Sequence, residues 1–337
     1  MPEGLLAGFD AGQTHTTCRL ETASGRLVLG EGEGPGVCHL AAPGGEERFL
    51  EALRAALAAA RSGLADKAAS VPLLAAAVGA SGIELGSAVQ ERGRALAALC
   101  LDLPPQRTAV TGDERTALRG AFPDGPGIVV ISGTGTIAVG RDGAGREHRC
   151  GGWGWLLDGA GAAMDIGRDG LALSLLMADG RRADTPLRAA LWEALGLDPA
   201  DPAAPQRIKA RVVSPEFGPA GFARLAPVVH RQAQMGEPEA EAILMRSALA
   251  LAEMVAGVAA ALHLDAPPVC GMGGALEHLE GLQKRFARHL AELLPQACLT
   301  PARGDACAGA LALAAELTEV AGEGGQRGPE PAQPTLR

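Results

Sequence analysis

One stretch of the sequence, from Gly127 to Gly140, most constrains the fold. It reads GIVVISGTGTIAVG, in which a β-branched run at residues 128–131 breaks into Ser132–Thr136 before a second strand-like run. The pattern predicts a β-hairpin whose turn is rich in glycine and hydroxyl groups. Glycine lets backbone N–H groups approach an anion closely, and the flanking hydroxyls can donate to its oxygens, so phosphate is the natural ligand. Taken by itself, the stretch favours an ordinary hairpin turn over a phosphate site.

This stretch does not match the two common nucleotide-binding loops. A P-loop would end in Gly-Lys-Ser/Thr and lead into a helix, and a dinucleotide-binding loop would need G-x-G-x-x-G at the start of a helix. Neither pattern is present, because the chain runs on from the turn into a second strand.

A second stretch near the start of the chain repeats the arrangement. Residues 5–20 read LLAGFDAGQTHTTCRL, in which Asp10–Thr16 forms a polar glycine turn between two strand-like runs. Each copy is followed by another turn, at residues 21–26 and 141–146, that leads towards a third strand. A strand, turn, strand, turn, strand unit therefore occurs twice, about 120 residues apart, which indicates duplication on the scale of a domain.

Bulk composition limits the class of protein. At 337 residues with 47% hydrophobic residues, the chain can bury a large core, and we expect two domains. A formal net charge of −9 without a local basic block argues against nucleic-acid and membrane-surface partners. A magnesium-bound substrate is compatible with this charge.

Cysteine usage and hydropathy bear on the compartment. The seven cysteines are scattered without a C-x-x-C pair, which favours reduced thiols over disulfides or a zinc site. No basic region precedes the first apolar run, so we expect no signal peptide. The apolar segment at residues 243–264 contains Arg246, Glu253 and His263, which favours a buried helix over a membrane span. These features predict a cytoplasmic protein.

In the first half, the predicted order of elements is βββαβαβα, which is typical of an α/β domain with a mixed sheet. We expect the third strand at Leu27–Leu29 and a flexible loop at Gly30–Gly36. Apolar spacing and stop signals predict the remaining helices and strands at Glu46–Leu64, Leu73–Val78, Ser87–Leu101, Thr108–Val110 and Glu114–Phe122.

The second half begins with the central hairpin and continues mainly as helices. Helices are predicted at Gly161–Met177, Pro186–Leu195, Phe222–Met235, Glu239–Leu264, His278–Leu294 and Asp305–Val320, with short strands at Pro267–Cys270 and Cys298–Leu299. The residues from Gly322 to Arg337 are rich in Gly, Pro and Glu, so we expect a disordered tail there.

Several motifs occur in an order that resembles one family. They are a DxGxT turn at Asp10, GTGT followed by CGGWGWLLDGAG, then FARLAPVVHRQAQMGEPEAEAIL, and GMGGALE. Up to about Val320, the chain resembles the sugar kinase, heat-shock and actin superfamily, and within it the BadF/BadG/BcrA/BcrD ATPase family with its N-acetylglucosamine kinase members. The resemblance implies an α/β fold of two duplicated actin-like, ribonuclease H-like βββαβαβα domains that flank an ATP cleft.

The resemblance also implies domain boundaries. Residues 1–117 would form the N-terminal domain, on the acceptor side, with the first phosphate turn. Residues 118–304 would form the C-terminal domain, with the second phosphate turn and the nucleoside site. The helix at 305–321 would return to the N-terminal domain, and 322–337 would be the tail. A homodimer is compatible with the sequence, which does not itself show one.

Ligand roles follow from the same resemblance. Asp10 would lie near Mg²⁺, commonly through water, which suits the preference of magnesium for oxygen ligands. The ATP-binding residues would be Gly12, Gln13 and Thr14 in the first turn, Gly133, Thr134, Gly135 and Thr136 in the second, and Gly273 and Gly274 beside the nucleoside. Plain structural alternatives are a strand-end Asp, a hairpin turn and a helix-entry glycine, which together explain the duplication poorly.

Asp113 is the candidate catalytic residue. It follows a predicted strand and opens a predicted helix, and it matches the family's general base, which takes the proton from the attacking sugar hydroxyl. A helix N-cap is an alternative role that is compatible with this one. The candidate sugar-binding residues, besides Asp113, are Ser81, Gly82, Gly152, Trp153 and Gly154. The indole of Trp153 would pack on the apolar face of a pyranose or, alternatively, lie in the core.

Three departures from the family pattern affect the acceptor site. Where the family carries GDEGSA, residues 158–163 read DGAGAA, so both acids of the matched positions are replaced by small residues. The loop that normally offers a sugar-binding Asn reads PGVCH at residues 35–39, with His39 as the available substitute, and His15 stands where a basic residue is usual. Because hydrogen-bond partners set specificity, the identity of the acceptor stays open.

Three functions are compatible with these features. The leading one is an ATP-dependent kinase that phosphorylates a small-molecule sugar, either N-acetylglucosamine or glucosamine. The second is a BadF/BcrA-type ATPase that drives a partner enzyme, although the cysteines offer no convincing site for a bridging iron–sulfur cluster. The third is a non-catalytic nucleotide-sensing domain, which the altered segment 158–163 favours.

Overall fold

The structure is a computed structural model, and it describes residues 4–64 and 71–323 of the chain. The chain divides into two compact units. Unit 1 combines Met1–Pro123 with Ala302–Arg337, and unit 2 is Asp124–Pro301. Unit 1 is therefore built from both ends of the chain.

Unit 1 contains a five-stranded mixed sheet. Its N-terminal elements are β1 (Leu5–Ala11), β2 (His15–Thr22), β3 (Val28–Pro35), α1 (Gly45–Ser62), β4 (Leu73–Ala80), α2 (Ala88–Leu101), β5 (Thr108–Gly112) and α3 (Asp113–Ala121). The strand order is β3-β2-β1-β4-β5. Strand β1 is antiparallel to β2 and parallel to β4, which is parallel to β5. This is the predicted βββαβαβα order, and the α/β fold class is confirmed.

Unit 2 contains a second five-stranded mixed sheet and most of the helices. Its elements are β6 (Gly127–Ser132), β7 (Thr136–Arg141), β8 (Glu147–Gly151), α4 (Ala163–Ala178), α5 (Pro186–Ala194), α6 (Ala204–Val212), α7 (Gly218–Ala223), α8 (Ala226–Gln234), α9 (Pro238–Leu262), β9 (Pro268–Met272), α10 (Gly274–His278), α11 (Glu280–Leu293) and β10 (Cys298–Leu299). The strand order is β10-β9-β6-β7-β8, with β6 antiparallel to β7 and parallel to β9. The central hairpin is thus β6–β7, as the sequence predicts.

One face of the unit 1 sheet is covered by α1. The helix buries Phe49, Leu53 and Ala56 on one side, and these residues share a core with Phe9 of β1. Burying a large apolar side chain contributes about 1.5–3 kcal/mol. Acidic residues in the first turn of the helix and Arg61 in its last turn complement the helix dipole.

Strand β3 is longer than the sequence predicts. The expected loop Gly30–Gly36 is almost entirely strand, because β3 pairs antiparallel with β2 as far as Pro35. A Cβ at Gly32 would lie 2.1 Å from the backbone N of Ala60 in α1. The glycines therefore allow the helix to lie directly on the strand. The sequence predicted a flexible loop from these glycines, whereas in the structure they allow close packing.

The last helix, α12 (Ala306–Glu323), packs within unit 1 through close backbone contacts. A Cβ at Gly8 of β1 would lie 2.7 Å from the backbone O of Cys307. One at Gly309 of α12 would lie 1.9 Å from the backbone O of Thr116 in α3. The core between α12 and the sheet consists of Leu6, Ala75, Ala77, Ala310, Leu311 and Ala314. Small residues thus let one helix support both β1 and α3.

Among the described residues, α9 is the one helix that is long and apolar enough to cross a membrane by length and composition. Half of its most apolar window is buried inside the protein. Leu244, Leu251 and Val255 belong to the main core of unit 2. These contacts agree with the expected buried helix.

Two predicted helices of unit 2 are interrupted in the structure. The helix expected at Phe222–Met235 is divided because Pro227, near the start of α8, lacks the N–H that would continue the preceding helix. The helix expected at His278–Leu294 is divided at Leu279, which ends α10 and precedes α11.

At the C-terminus, α12 extends into the expected tail by two residues, to Glu323, and residues 324–337 lie outside the described residues.

Candidate functional site

Two carboxylates lie at the same edge of the unit 1 sheet. Asp10 is near the end of β1, and Asp113 follows the last residue of β5. Strand β4 lies between them, with Gly79 paired to Asp10 on one side and to Thr111 on the other. Because these three strands are parallel, their carboxyl ends meet at one edge, which is where α/β sheets bind ligands.

The two carboxylates are both harder to ionise than usual. Burial, and next to it the charge of Asp113, raise the pKa of Asp10 to about 6. Burial also raises the pKa of Asp113 to about 6, with the charge of Glu114 as the next cause. A carboxylate with a pKa near neutrality can accept a proton and later release it, which suits a general base.

The backbone around Asp113 fixes its carboxylate. Asp113 is the first residue of α3 and Gly112 occupies the N-cap position, so the N-cap role considered for Asp113 does not apply. Its Oδ1 accepts a hydrogen bond of 3.0 Å from the N–H of Glu114. A Cβ at Gly79 of β4 would lie 2.0 Å from Oγ1 of Thr116, so a glycine is needed where α3 crosses that strand.

The turn after Asp10 is tied to a neighbouring loop. The N–H of Gly12 donates to the backbone O of His15 at 3.0 Å, and its O accepts from the N–H of Val37 at 2.9 Å. Gln13 and Thr14 are exposed at the tip. The Thr14 hydroxyl lies 3.0 Å from Nδ1 of His15, so the histidine that replaces the family's basic residue contacts the turn itself.

The loop after β4 lies beside this turn. The N–H of Ser81 donates to the backbone O of Ala11 at 3.1 Å, and Nε2 of Gln13 is 3.5 Å from the Ser81 hydroxyl. Gly82 has a φ of +81°, and a Cβ there would lie 3.0 Å from Cδ2 of His39. Unit 1 therefore brings Gln13, Ser81, Gly82 and His39 into one group at the sheet edge.

In unit 2, the turn at Gly133–Thr136 joins β6 to β7. Thr134 and Gly135 are exposed at its tip. The hydroxyl of Ser132 donates to the backbone O of Gly161 at 2.7 Å, and that of Thr136 faces the backbone O of Ala160 at 3.3 Å. The expectation that three hydroxyls face a phosphate is therefore corrected: two of them point into the protein, and only that of Thr134 is at the exposed tip.

Gly273 and Gly274 lie against the same turn. Gly273 has a φ of +90°, and a Cβ there would lie 2.6 Å from the backbone O of Ser132. Gly274 begins α10. The structure therefore places the predicted nucleoside glycines next to the predicted phosphate turn.

The Gly152–Gly154 segment exposes its tryptophan. Gly152 and Gly154 have φ values of +76° and +88°. The Trp153 side chain is 61% exposed, which argues against the core alternative. The Arg149 guanidinium lies 4.7 Å from the centre of the Trp153 ring, in a cation–π contact. Sequence reasoning missed Arg149, because no local pattern announces which ring a surface arginine will cover.

The segment 158–163 lines two cavities. One of about 260 Å³ is lined by residues that include Trp155, Asp158 and Arg168, and one of about 320 Å³ by residues that include Cys150, Asp158 and Glu253. Asp158 and Ala160 border both. The altered segment therefore has open space on one side and the β6–β7 turn on the other.

The predicted site residues thus form one group in each unit. In the part of the chain that the structure describes, no cluster of three His, Cys, Asp or Glu side chains could hold a metal ion by itself. The Asp10 carboxylate nevertheless fits a magnesium ion by its chemistry, because it is a hard oxygen donor and the charge of Asp113 raises its pKa by repulsion that a cation would relieve.

Comparisons with known proteins identify a family and several similar proteins. A model of the BadF/BadG/BcrA/BcrD ATPase family matches residues 7–309. An N-acetylmuramic acid/N-acetylglucosamine kinase from Clostridium acetobutylicum is 28% identical over 207 residues, which are 61% of this chain and 66% of that protein. An N-acetyl-D-glucosamine kinase from Dictyostelium discoideum is 31% identical over 191 residues, which are 56% of this chain and 59% of that protein.

A solved structure extends the similarity to the fold as a whole. A proposed N-acetylglucosamine kinase from Chromobacterium violaceum is 27% identical and gives a TM-score of 0.69, over 93% of this chain and 100% of that chain. The matches to the two curated relatives, in contrast, span less than two thirds of those proteins' lengths.

Proposed function

We propose that this chain, which belongs to the BadF/BadG/BcrA/BcrD ATPase family, is an ATP-dependent kinase that phosphorylates a hydroxyl of N-acetylglucosamine or glucosamine. The observation that carries the proposal is the pair Asp10 and Asp113, which lie at one edge of the unit 1 sheet on either side of β4. The names of the similar proteins support the sugar class.

Asp113 acts as the general base. It accepts the proton of the attacking sugar hydroxyl, and at neutral pH a carboxylate with a pKa near 6 is mostly ionised and ready to do so. The Glu114 N–H donates to its Oδ1 and so orients the carboxylate. Phosphoryl transfer depends mainly on positioning and charge neutralisation, so one oriented carboxylate suffices for the proton.

Each unit has a glycine turn whose proposed role is to bind phosphate of ATP. Gly12, Gln13 and Thr14 bind phosphate in unit 1. In unit 2, the proposed phosphate ligands are the Thr134 hydroxyl and the backbone N–H groups of Gly135 and Thr136, with Gly273 and Gly274 beside the nucleoside. The N–H of Gly133 donates to Gly135 O at 2.9 Å, so Gly133 contributes to the shape of the turn. Asp10 would hold Mg²⁺, commonly through water, and the ion would supply charge neutralisation at the phosphates.

Each unit has candidate groups for contact with the acceptor sugar, apolar in unit 2 and polar in unit 1. The indole of Trp153 provides an apolar face for a pyranose, with the Gly152 and Gly154 backbone leaving room beside it. Ser81 and Gly82 provide polar contacts. At residues 158–163, small residues stand where the family carries two acids. Because these hydrogen-bond partners for a sugar are missing, the proposal names two amino sugars and does not choose between them.

Residue usage supports a cytoplasmic site of action. All seven cysteines are free thiols, as expected in a reducing compartment. We propose an enzyme with no nucleic-acid or membrane partner. A homodimer is compatible with this proposal.

A coupled assay that measures ADP release tests the proposal. Purified protein, Mg-ATP and one candidate acceptor at a time (N-acetylglucosamine, glucosamine, glucose or none) should give turnover that an amino sugar stimulates. Turnover that no acceptor stimulates would instead favour the ATPase that drives a partner enzyme. Nucleotide binding without turnover would favour the sensing domain, and either result would contradict the kinase.

A further inference from the structure

We propose that Ser132 and Thr136 are positioning residues for phosphoryl transfer, because their hydroxyls hold the Gly133–Gly135 turn on residues 158–163 and so fix the backbone N–H groups that receive the ATP phosphates. This inference rests on the proposed function, because it assigns a role at the same nucleotide site. In this proposal the two hydroxyls position the turn and do not themselves bind phosphate.

The tip of the turn has little packing of its own. A Cβ placed at Gly133 or Gly135 would meet no atom within 4 Å, and Thr134 is exposed. A short glycine turn in open space samples several conformations unless its ends are held. One hydrogen bond of 2.9 Å lies inside the turn, from the Gly133 N–H to Gly135 O, and the remaining bonds that position the turn are made where the two strands enter it.

Both ends of the turn are hydrogen-bonded to the same segment. Ser132 is fully buried and donates to Gly161 O at 2.7 Å, and Thr136, 5% exposed, faces Ala160 O at 3.3 Å. A third bond of 2.9 Å runs from the Ala163 N–H to Gly133 O. Three hydrogen bonds thus connect the strand ends to the segment between Ala160 and Ala163.

The segment that receives these bonds is itself fixed. Gly161 has a φ of +86°, and a Cβ there would lie 2.7 Å from Cγ of Leu251 and 2.9 Å from the backbone O of Ser247, both in α9. On the other side of the turn, Gly273 contacts the backbone of Ser132, where a Cβ would lie 2.6 Å from its O. The base of the turn is therefore held between two close backbone contacts while its tip stays open.

Loss of either hydroxyl should weaken binding of the ATP phosphates more than binding of the rest of the nucleotide. Without the Ser132 donor, Gly161 O loses its buried partner and the turn can move away from the segment. Displacement of a positioning group by about 1 Å can cost about 100-fold in rate. We expect Ser132→Ala to weaken binding of a non-hydrolysable ATP analogue about 5–20-fold, to weaken AMP binding less than about 2-fold, and to lower kcat about 10–100-fold.

Thr136 offers an isosteric pair of variants. Thr136→Val keeps the shape of the side chain and removes the hydroxyl. It should lower ATP-analogue affinity and kcat as Ser132→Ala does, but less, because the hydrogen bond of Thr136 is longer than that of Ser132. Thr136→Ser restores a hydroxyl and should recover most of what Val loses. Should Ser132→Ala fail to fold, this pair decides the question.

A matched control comes from the same unit. Ser174 is fully buried and donates to Leu171 O at 2.6 Å, like Ser132 a buried serine bonded to a backbone carbonyl. Its hydroxyl also accepts from Nε1 of Trp192 at 3.0 Å, so Ser174→Ala should lower the melting temperature. It should leave the ratio of ATP-analogue to AMP affinity unchanged.

The experiment is isothermal titration calorimetry of each variant with AMPPNP and with AMP, together with kcat and KM for N-acetylglucosamine. A selective loss of AMPPNP affinity in Ser132→Ala and Thr136→Val, restored in Thr136→Ser, supports the proposal. Equal losses for both nucleotides, or none, overturn it while leaving the kinase intact. Wild-type protein that binds neither nucleotide refutes the proposed function, and this inference falls with it.

Discussion

Replacing Asp113 by Asn should remove catalysis and at the same time stabilise the protein. Burial and the charge of Glu114 raise the pKa of Asp113 from 3.8 to about 6, so ionisation of this group opposes folding. Each pKa unit corresponds to about 1.4 kcal/mol, so a shift of about two units sets an upper limit of about 3 kcal/mol. Water reaches part of this half-buried carboxylate, and we therefore expect a gain of about 2 kcal/mol at pH 8.

The gain should depend on pH with a definite sign. The folded pKa of Asp113 lies above the unfolded one, so between about pH 4 and pH 6 the folded state binds more protons and stability falls as pH rises. At pH 8 both states are ionised and the full cost is present. At pH 5 the folded carboxyl is mostly protonated, so the gain from Asn should fall to roughly half. Asn keeps an oxygen for the Glu114 N–H, so that contact persists.

Urea unfolding at pH 8 and pH 5 measures this effect, and an ADP-release assay measures the activity. Activity of Asp113→Asn should drop about 10²–10⁴-fold, the usual contribution of a general base. Asp102→Asn is the matched control in the same unit, because Asp102 is exposed and its φ of 54° is one that Asn tolerates. Its free energy of unfolding should change by less than about 0.5 kcal/mol.

Three results would refute this reasoning about Asp113. Loss of stability in Asp113→Asn at pH 8 would show that the carboxylate is not destabilised by its surroundings. An equal gain at pH 5 and pH 8 would show that ionisation is not its source. Retained activity would remove Asp113 from the role of general base.

Three further predictions concern the site and its support. The value of kcat/KM should fall below about pH 6, because protonated Asp113 cannot accept the sugar proton; a profile that stays flat down to pH 5 would contradict this. Trp153→Ala should raise KM for the sugar about 3–10-fold and leave KM for ATP unchanged, with exposed Leu99→Ala as control; equal effects on both substrates would argue against sugar contact. Gly309→Ala should cost about 2 kcal/mol in urea unfolding, since its Cβ would lie 1.9 Å from Thr116 O, whereas Gly63→Ala, with 3.9 Å to Ala60 O, should be near neutral; equal effects would count against tight packing of α12.

Local sequence patterns were sufficient for the two hairpins and for the position of Asp113. Alternating apolar residues and glycine turns located both hairpins, and the short run Thr108–Val110 placed Asp113 at the end of β5. The direction of the Ser132 hydroxyl was not predictable, because its acceptor, Gly161, lies 29 positions away. The same holds for the double hydrogen bond from Arg19 to Asp305, which spans 286 positions. Local composition determines that a turn is polar, and distant packing determines which of its groups face solvent.

The segment Gly30–Gly36 shows the same limit of local sequence patterns, here for secondary structure. Glycine is depleted in strands, so a run of alternating glycines predicts a loop. Only the packing of α1, with the Ala60 backbone where a Cβ of Gly32 would lie, makes glycine the residue that a strand needs there. The strand at Gly30–Gly36 could therefore be predicted only together with the helix α1 that packs on it.

The origin of α12 at the far end of the chain has a consequence for synthesis. Unit 2 is continuous in sequence and can fold as soon as Pro301 has left the ribosome, whereas unit 1 needs residues that follow it. Until α12 emerges, Leu6 and Ala77 on the unit 1 sheet lack their covering partners and present an apolar face to the cell. The first part translated is thus the last to be completed, and a nascent chain stalled near residue 300 would be a substrate for chaperones.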